Sequence, residues 1–205
     1  MVVAMACLAI SCILLMLYVL FDVGYFIRIA FVIAVGRLFQ RKVKVLESTS
    51  TYGIVTTQDV DIFLRFMNNA RYVRELDFAR FHFYDRTGLY SEIVRRKGHA
   101  LQGATTVRYR RIMPLLTVYR IDTKLIYWDE KSIYLEQQFV TPHDGFVRAV
   151  VLSRQNVVGT DARVMMRDLT HCDAPPPPPK DLELWLEAMD ASRTRLRPED
   201  ASKND

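Results

Sequence analysis

The sequence predicts an α+β domain, in which an antiparallel sheet wraps around one helix, behind an N-terminal transmembrane helix. Three observations lead to this prediction. Residues 2–21 carry no charged side chain. Between Ala70 and Phe83, apolar side chains recur at the three- and four-residue steps of a helix. From His99 onward, apolar and polar residues alternate as they do in half-buried strands. One helix followed by sequential strands favours a sheet packed on that helix.

The first element is the apolar run, which has about the 20 residues needed to cross a bilayer core. No basic residue precedes it, and it is longer than the hydrophobic region of a usual signal peptide. We therefore assign residues 1–22 to a retained membrane anchor. The alternative is a cleaved signal peptide, which would make the protein secreted.

Residues 23–44 are predicted to form a basic juxtamembrane linker. The chain has 28 Lys and Arg against 23 Asp and Glu, a net charge of +5. Five of these basic residues follow the anchor directly, namely Arg28, Arg37, Arg41, Lys42 and Lys44. This placement predicts a single-pass protein, in the endoplasmic reticulum, whose domain faces the cytosol. It also suits binding to anionic headgroups, and no motif indicates a nucleic-acid partner.

The apolar stretch 25–39 within this linker has two interpretations. It either connects the anchor to the domain as an ordinary helical linker, or lies in the membrane interface with its basic residues at headgroup level. The sequence alone leaves both open.

A β-rich segment, residues 43–58, precedes a loop that carries Asp59 and Asp61. Asn68 or Asn69 then caps the central helix, because an Asn side chain accepts from the free N–H groups of a first turn. Such a helix N-terminus can polarise a carbonyl oxygen, and a carboxylate beside it can act as nucleophile or general base. The alternative is that both Asp residues merely belong to a polar loop before a core helix.

The central helix is expected to bury one stripe and to end before Gly88, where turn residues begin. The stripe consists of Ala70, Val73, Leu76, Ala79 and Phe83. A second, short helix is predicted over 89–96, stopped by Gly98.

Four strands follow, over residues 103–110, 117–127, 133–139 and 146–158. In the second of them one face carries Thr117, Tyr119, Ile121, Thr123, Leu125 and Tyr127, and the other face carries Arg120, Asp122 and Lys124. Residues 45–172 thus make up the globular domain.

Residues 173–205 form a C-terminal extension. Pro175–Pro179 is a stiff spacer. A short amphipathic helix over 181–196 then packs on the domain through Leu182, Trp185, Leu186 and Met189. The polar tail after Arg197 is predicted to be disordered.

The cysteines predict neither a disulfide nor a metal site. Cys7 and Cys12 lie in the apolar run and Cys172 stands alone, which suits a reducing compartment. His171 beside Cys172 has no second ligand pair nearby, so we expect no metal or other cofactor.

The motif Asp59-x-Asp61, a short gap, and Asn68-Asn69-Ala70-x-Tyr72 leading into a helix resembles the signature of hotdog-fold thioesterases of the 4-hydroxybenzoyl-CoA type. The resemblance extends over residues 45–160, and several pieces resemble one subfamily more narrowly: Met67–Tyr72, Arg74–Arg80, Trp128-Asp129, Phe139-Val140 and Asp144–Val147. It implies a hotdog fold, hydrolysis of an acyl-CoA or other acyl thioester, and a homodimer with its active sites between protomers.

The resemblance also implies roles for individual residues. Asp61 matches the catalytic carboxylate, and the helix start at Asn68, Asn69 and Ala70 matches the position of the oxyanion donors and loop-fixing groups. The basic residues Arg108, Arg110 and Arg111 meet CoA phosphates in this interpretation; otherwise they form a solvated strand face.

Two departures from the motif keep other functions open. Phe66 stands where the motif usually carries His, and the gap after Asp61 is one residue longer than in the bacterial enzymes. Losing an imidazole removes a hydrogen-bonding group from the loop that positions the carboxylate. The alternatives are a catalytically inactive acyl-CoA- or lipid-binding scaffold module, and a purely structural membrane-tethered partner.

Overall fold

The computed structural model describes residues 2–196. Its elements in order are α1 Val2–Leu20, α2 Val23–Phe39, β1 Thr49–Ile54, α3 Asn69–Thr87, α4 Leu89–Arg95, β2 His99–Tyr109, β3 Val118–Trp128, β4 Ser132–Thr141, β5 Phe146–Val158, α5 Ala162–Thr170 and α6 Lys180–Arg195. The polar tail predicted after Arg197 lies outside the described residues.

The five strands form one antiparallel sheet in the order β1-β3-β4-β5-β2. Strands β1 and β2 are therefore its two edges. Helix α3 packs on the sheet through Leu76, Ala79 and Phe83, which are all at most 2% exposed. This arrangement confirms the predicted α+β architecture of a sheet around a central helix.

Helix α3 begins and ends where the sequence predicts. The Asn68 side chain accepts a hydrogen bond from the Ala70 N–H at 2.9 Å. Gly88 follows the helix with φ 77°, a left-handed conformation that glycine adopts without a steric penalty.

The predicted stripe of α3 is wrong at its first two positions. Ala70 is exposed and Val73 is 43% exposed, whereas Tyr72 is buried at 2%. The sheet-facing side of the first turns runs through Tyr72, because its ring packs against Phe139 of β4 at 4.9 Å between centroids. Ala70 and Val73 consequently face away from the sheet.

The predicted face of β3 is wrong at Tyr127. A register shift between Leu125 and Tyr127 inserts one residue into the pairing with β4. As a result Tyr127 joins Ile126 on the outer side of the sheet, while Trp128 returns to the core beside Leu125. Helix α6 packs on that outer side through its apolar residues Leu182, Trp185, Leu186 and Met189, as expected.

The segment 23–39 is a continuous helix, α2, that lies along one flank of α3. Arg28 forms an ion pair with Glu75, and Arg37 pairs with Asp85. The Arg86 guanidinium donates to two carbonyl oxygens at the end of α2, that of Gly36 at 2.8 Å and that of Gln40 at 2.9 Å. A Cβ at Gly36 would lie 3.0 Å from the His82 ring, so glycine permits this close approach.

Helix α1 stands apart from this packing. None of its residues is buried, and it is the one helix among residues 2–196 that is long and apolar enough to cross a membrane. Helix α5 has no counterpart in the sequence prediction; Asp161 caps it, and Met165 and Met166 enter the core beneath it.

Candidate active site

The loop before α3 folds back on itself as a short hairpin. Val60 pairs with Met67, the Asp61 N–H donates to the Phe66 carbonyl at 2.9 Å, and the Asn68 N–H donates to the Asp59 carbonyl at 2.8 Å. The carboxylates of the motif thus lie on one arm of this hairpin, residues 59–68, and its second arm leads directly into α3.

Asp61 is held by the turn of its own hairpin. Its Oδ1 accepts from the Arg65 N–H at 2.9 Å and from the Phe66 N–H at 3.4 Å. The Arg65 amide, more than any other group, lowers the pKa of Asp61, so this carboxylate is ionised at neutral pH. Its Oδ2 faces the Arg65 guanidinium at 3.6 Å and accepts no hydrogen bond among residues 2–196.

Asp59, in contrast, accepts hydrogen bonds at both of its carboxylate oxygens. It is 3% exposed and accepts from the Thr56 N–H at 2.9 Å, the Thr56 hydroxyl at 2.7 Å and Arg71 Nε at 3.1 Å. Burial opposes ionisation, but these hydrogen bonds outweigh it and hold the pKa of Asp59 below its usual value. Asp59 therefore ties the hairpin to the first turn of α3, a role of the Asp59–Arg71 pair that sequence reasoning missed.

The start of α3 offers one free amide. The Asn68 N–H is bound by Asp59, the Ala70 N–H by the Asn68 side chain, and the Arg71 N–H by the Asn68 carbonyl. Within the described part of the chain, this leaves the Asn69 N–H without a partner. Because Asn69 is exposed, a substrate oxygen can reach this amide at the positive end of the helix.

Tyr109, at the end of β2, is a further site residue that the sequence did not single out. Its hydroxyl donates to the Asn69 carbonyl at 3.0 Å, and its ring packs edge-on against Tyr72 at 5.1 Å. Burial raises the pKa of Tyr72 to about 12, which suits a packing residue. The only signal for Tyr109 was its place in an alternating strand.

The three arginines proposed for phosphate contacts fall into two groups. Arg110 and Arg111 stack on the Phe146 ring, with distances of 4.8 and 4.0 Å from guanidinium carbon to ring centroid. Arg108 is exposed on the β2 edge, opposite Val150, and does not join this stack. Since Arg110 follows Tyr109, the stacked pair lies at the same end of the sheet as the start of α3.

A groove of about 990 Å³ begins beside this helix start. One wall is the outward side of α3, and the others come from β2 and from the junction of α1 with α2. Its lining combines apolar residues, among them Leu20, Phe21, Phe26, Ala70 and Val73, with the charged residues Asp22, Arg71, Arg74, Asp77 and Arg80. Ala70 and Val73, the two exposed residues of the predicted stripe, both line this groove. Among residues 2–196 no three His, Cys, Asp or Glu side chains are grouped to hold a metal ion.

The comparison with known families settles what kind of domain this is. Residues 55–186 match the model of the Thioesterase-like superfamily, which is more than half of the chain. The chain belongs to the thioesterase-like superfamily. Its similarity to curated relatives extends further toward the N-terminus. The protein named THEM6 of Drosophila melanogaster is 56% identical over 185 residues, which cover 90% of this chain and 96% of that protein.

Several solved structures share the fold. A gentisyl-coenzyme A thioesterase is 19% identical to this chain and superposes with a TM-score of 0.52. The match covers 60% of this chain and 100% of that protein's chain. A hypothetical protein from Staphylococcus aureus, solved in complex with CoA, is 14% identical to this chain and superposes with a TM-score of 0.53. The match covers 69% of this chain and 95% of that protein's chain. The predicted hotdog fold is confirmed, and the resemblance identified from the motif is confirmed with it.

Proposed function

We propose that this thioesterase-like protein hydrolyses fatty acyl-CoA thioesters at the start of α3. Two features of one short segment carry the proposal: an ionised carboxylate, Asp61, on the hairpin, and a free helix-start amide, Asn69 N–H, directly after the hairpin's second arm. Membership of the superfamily supports the reaction class.

The chemistry follows from these two groups. Asp61, as general base, takes a proton from water while the water oxygen attacks the thioester carbonyl; as nucleophile, it attacks the carbonyl itself. In either case the oxyanion that forms accepts from the Asn69 N–H at the positive end of α3. The C–S bond then breaks and the CoA sulfur leaves as the thiolate. On the general-base route the acyl group is released directly as the carboxylate. On the nucleophile route it stays on Asp61 as a mixed anhydride, which water then hydrolyses to the fatty carboxylate and free Asp61.

The surroundings suit the two ends of such a substrate. The groove beside Ala70 has an apolar wall in Leu20, Phe21 and Phe26, which matches a hydrocarbon chain. Arg110 and Arg111, held on the Phe146 ring, present positive charge for the CoA phosphates. The CoA seen with the Staphylococcus aureus protein supports this class of ligand.

A second function is favoured by one observation at the same hairpin. At Phe66, where the motif usually has His, the backbone groups bind Asp61 and the Arg65 guanidinium stacks on the ring at 5.3 Å. No imidazole is therefore available there to position substrate or water. The second candidate is accordingly a module that binds acyl-CoA without hydrolysing it.

The experiment measures hydrolysis and binding of acyl-CoAs of graded chain length, on the full chain in detergent micelles, for the natural protein and Phe66→His. Hydrolysis by the natural protein, changed by less than about tenfold in Phe66→His (about 1.4 kcal/mol), supports the enzyme. Binding without turnover, with hydrolysis appearing in Phe66→His, supports the binding module. Absence of both binding and turnover contradicts both and leaves a structural, membrane-tethered role.

We further propose that α1 anchors the protein in the endoplasmic reticulum membrane with the domain in the cytosol, and that two copies form a homodimer. The length and full exposure of α1 support the anchor, and the basic residues after it support the orientation.

A further inference from the structure

Helix α2 turns its polar residues toward the protein. The Tyr25 hydroxyl donates to Asp77 at 3.2 Å, and Arg37 Nε donates to Asp85 at 2.9 Å. Arg28 forms a bidentate ion pair with Glu75. Glu75 is 1% exposed and also accepts a hydrogen bond from the Tyr119 hydroxyl at 2.6 Å. Both arginines of α2 thus bind α3, and Arg37 does so while 64% of its side chain stays exposed.

The opposite side of α2 is apolar and uncovered. Five large apolar residues of α2 are exposed: Phe26 at 63%, Ile27 at 59%, Phe31 at 64%, Leu38 at 76% and Phe39 at 80%. The first four form what we call the outer face of α2. The smaller Ala30 and Ala34, also exposed, lie between them on the same side. A surface helix in water normally has the reverse arrangement, and an exposed apolar stripe of this kind marks an interaction surface.

We infer that the outer face of α2 lies in the boundary between lipid headgroups and acyl chains, so that the domain rests on the membrane that α1 enters. Continuity of the chain is the first argument. Helix α1 ends at Leu20 and α2 begins at Val23, so α2 starts where an anchor of this length leaves the bilayer. Asp22 between them has φ 49°, which breaks the helix and lets α2 take a new direction.

Charge at the far end of α2 is the second argument. Arg41, Lys42 and Lys44 follow the helix and are all exposed, where they can meet anionic headgroups. A 17-residue helix is about 25 Å long, so α1 at one end and these basic residues at the other would hold α2 along the surface. A consequence is that the groove lined by Phe21 and Phe26 opens at the membrane boundary.

The test places tryptophan at both ends of the outer face, as Phe26→Trp and Leu38→Trp, in the full chain reconstituted into phosphatidylcholine–phosphatidylserine vesicles. Tyr90→Trp on α4, at a position 53% exposed, is the matched control. The natural chain, measured in parallel, gives the emission of Trp128 and Trp185 to be subtracted. For each probe, quenching of the tryptophan emission is measured with three quenchers: lipids brominated near the headgroup, lipids brominated near the chain end, and acrylamide in the aqueous phase.

Both probes on α2 are expected to lose emission to the shallow bromines more than to the deep ones, because an interfacial helix is buried about 5–10 Å. Tyr90→Trp should respond to acrylamide alone. Quenching of Phe26→Trp by lipid with Leu38→Trp open to acrylamide would overturn the inference, since α2 would then leave the membrane as a linker. Shielding of both probes from lipid and acrylamide alike would overturn it too, since a second copy or another protein would then cover the face.

Discussion

At the scale of single residues, the two carboxylates of the motif have different uses. Asp59 is buried and accepts from Thr56 and Arg71, so it holds the hairpin on α3. Asp61 is bound only by amides and the guanidinium of its own turn, which leaves Oδ2 available. The motif sequence makes these residues look equivalent; the hydrogen bonds of the folded hairpin distinguish them.

Substitution of either carboxylate by its amide should separate activity from stability. In Asp61→Asn we expect turnover to fall at least about a hundredfold with little change in Tm, because a positioned base or nucleophile contributes chemistry and little packing. In Asp59→Asn we expect a loss of about 1–3 kcal/mol in the free energy of unfolding, because Arg71 loses its buried ionic partner.

Each variant is the other's control, and both are compared with the natural chain by acyl-CoA hydrolysis and by thermal unfolding. If Asp61→Asn kept full activity while Asp59→Asn lost it at unchanged Tm, the assignment of the carboxylates would be reversed.

A buried histidine gives the fold a pH dependence. His82 on α3 is 2% exposed, and its Nε2 lies 2.7 Å from Gln40 Oε1. Within residues 2–196 its Nδ1 has no hydrogen-bond partner. Burial, followed by the nearby Arg86, lowers its pKa to about 4 from 6.5, with Asp85 acting in the opposite direction. Between these two values the unfolded chain binds a proton that the folded chain does not, so stability falls as pH falls from 6.5 toward 4.

The His82 contribution amounts to about 3 kcal/mol across that window, at about 1.4 kcal/mol for each unit of pKa. Denaturant unfolding at pH 7 and pH 5 covers the part of this window above pH 5, about 2 kcal/mol. The variant His82→Gln, which cannot titrate, is expected to reduce the difference. An unchanged difference in His82→Gln would assign the pH dependence to other groups.

The sequence predicts the local features of the candidate site and does not predict its contacts with distant segments of the chain. Asp61, Asn68 and the helix cap are local features, set by residue type and a spacing of a few positions. Which amide stays free depends on how the hairpin folds back, through the bond from the Asn68 N–H to the Asp59 carbonyl. That Tyr109 reaches Asn69 depends on a contact between residues 40 positions apart. Local patterns carry no information about such contacts.

At the scale of secondary-structure elements, α2 shows more clearly that local sequence patterns do not predict contacts between distant segments. Its composition is that of an apolar linker, and from the sequence residues 45–172 look sufficient for the domain. The partners of Arg28 and Arg37 are Glu75 and Asp85, 47 and 48 residues further along the chain. Periodicity predicted α3 and its ends because those depend on local sequence, and it failed at Tyr127 because a bulge shifts the phase of a strand.

Removal of the Arg28 guanidinium tests whether α2 is part of the folded domain. Arg28→Ala leaves Glu75 buried without its cation, and we expect a loss of about 2–3 kcal/mol in unfolding free energy. This is less than the 3–5 kcal/mol of a fully buried pair, because Arg28 is 37% exposed.

The matched control is Arg37→Ala on the same helix. Arg37 is 64% exposed, so the loss should stay below about 1 kcal/mol. Chemical denaturation followed by circular dichroism compares the two variants. Equal, small losses in both would mean that α2 contributes little to the domain's stability.

At the scale of the whole molecule, the position of α1 predicts how the protein sits in a cell. Carbonate extraction at alkaline pH is expected to leave the chain in the membrane pellet, because α1 is apolar over its whole length. Protease added to intact microsomes should digest the domain, because the basic residues after α1 favour the cytosolic side. Chain shortened at its N-terminus and released into the medium would instead identify α1 as a cleaved signal peptide.

The sheet itself predicts the state of assembly. Edge strand β2 has 11 residues with one side unpaired, against six in β1, and long exposed edges normally pair or are covered. The hairpin tip beside the site also leaves Ile62 89% and Phe63 65% exposed, so one copy does not enclose its own site. A two-fold dimer across β2 would cover the edge with the same edge of a second copy.

We therefore expect light scattering of the full chain in detergent, corrected for bound detergent, to give the mass of two protomers at micromolar concentration. Leu101→Asp on β2 should shift this mass toward one protomer, because a two-fold axis brings both new charges into one interface. Leu184→Asp on α6 is the matched control, since both leucines are more than half exposed. A natural chain that is monomeric, with its helices intact by circular dichroism, would contradict the dimer; a dimer unaffected by Leu101→Asp would place the interface elsewhere than β2.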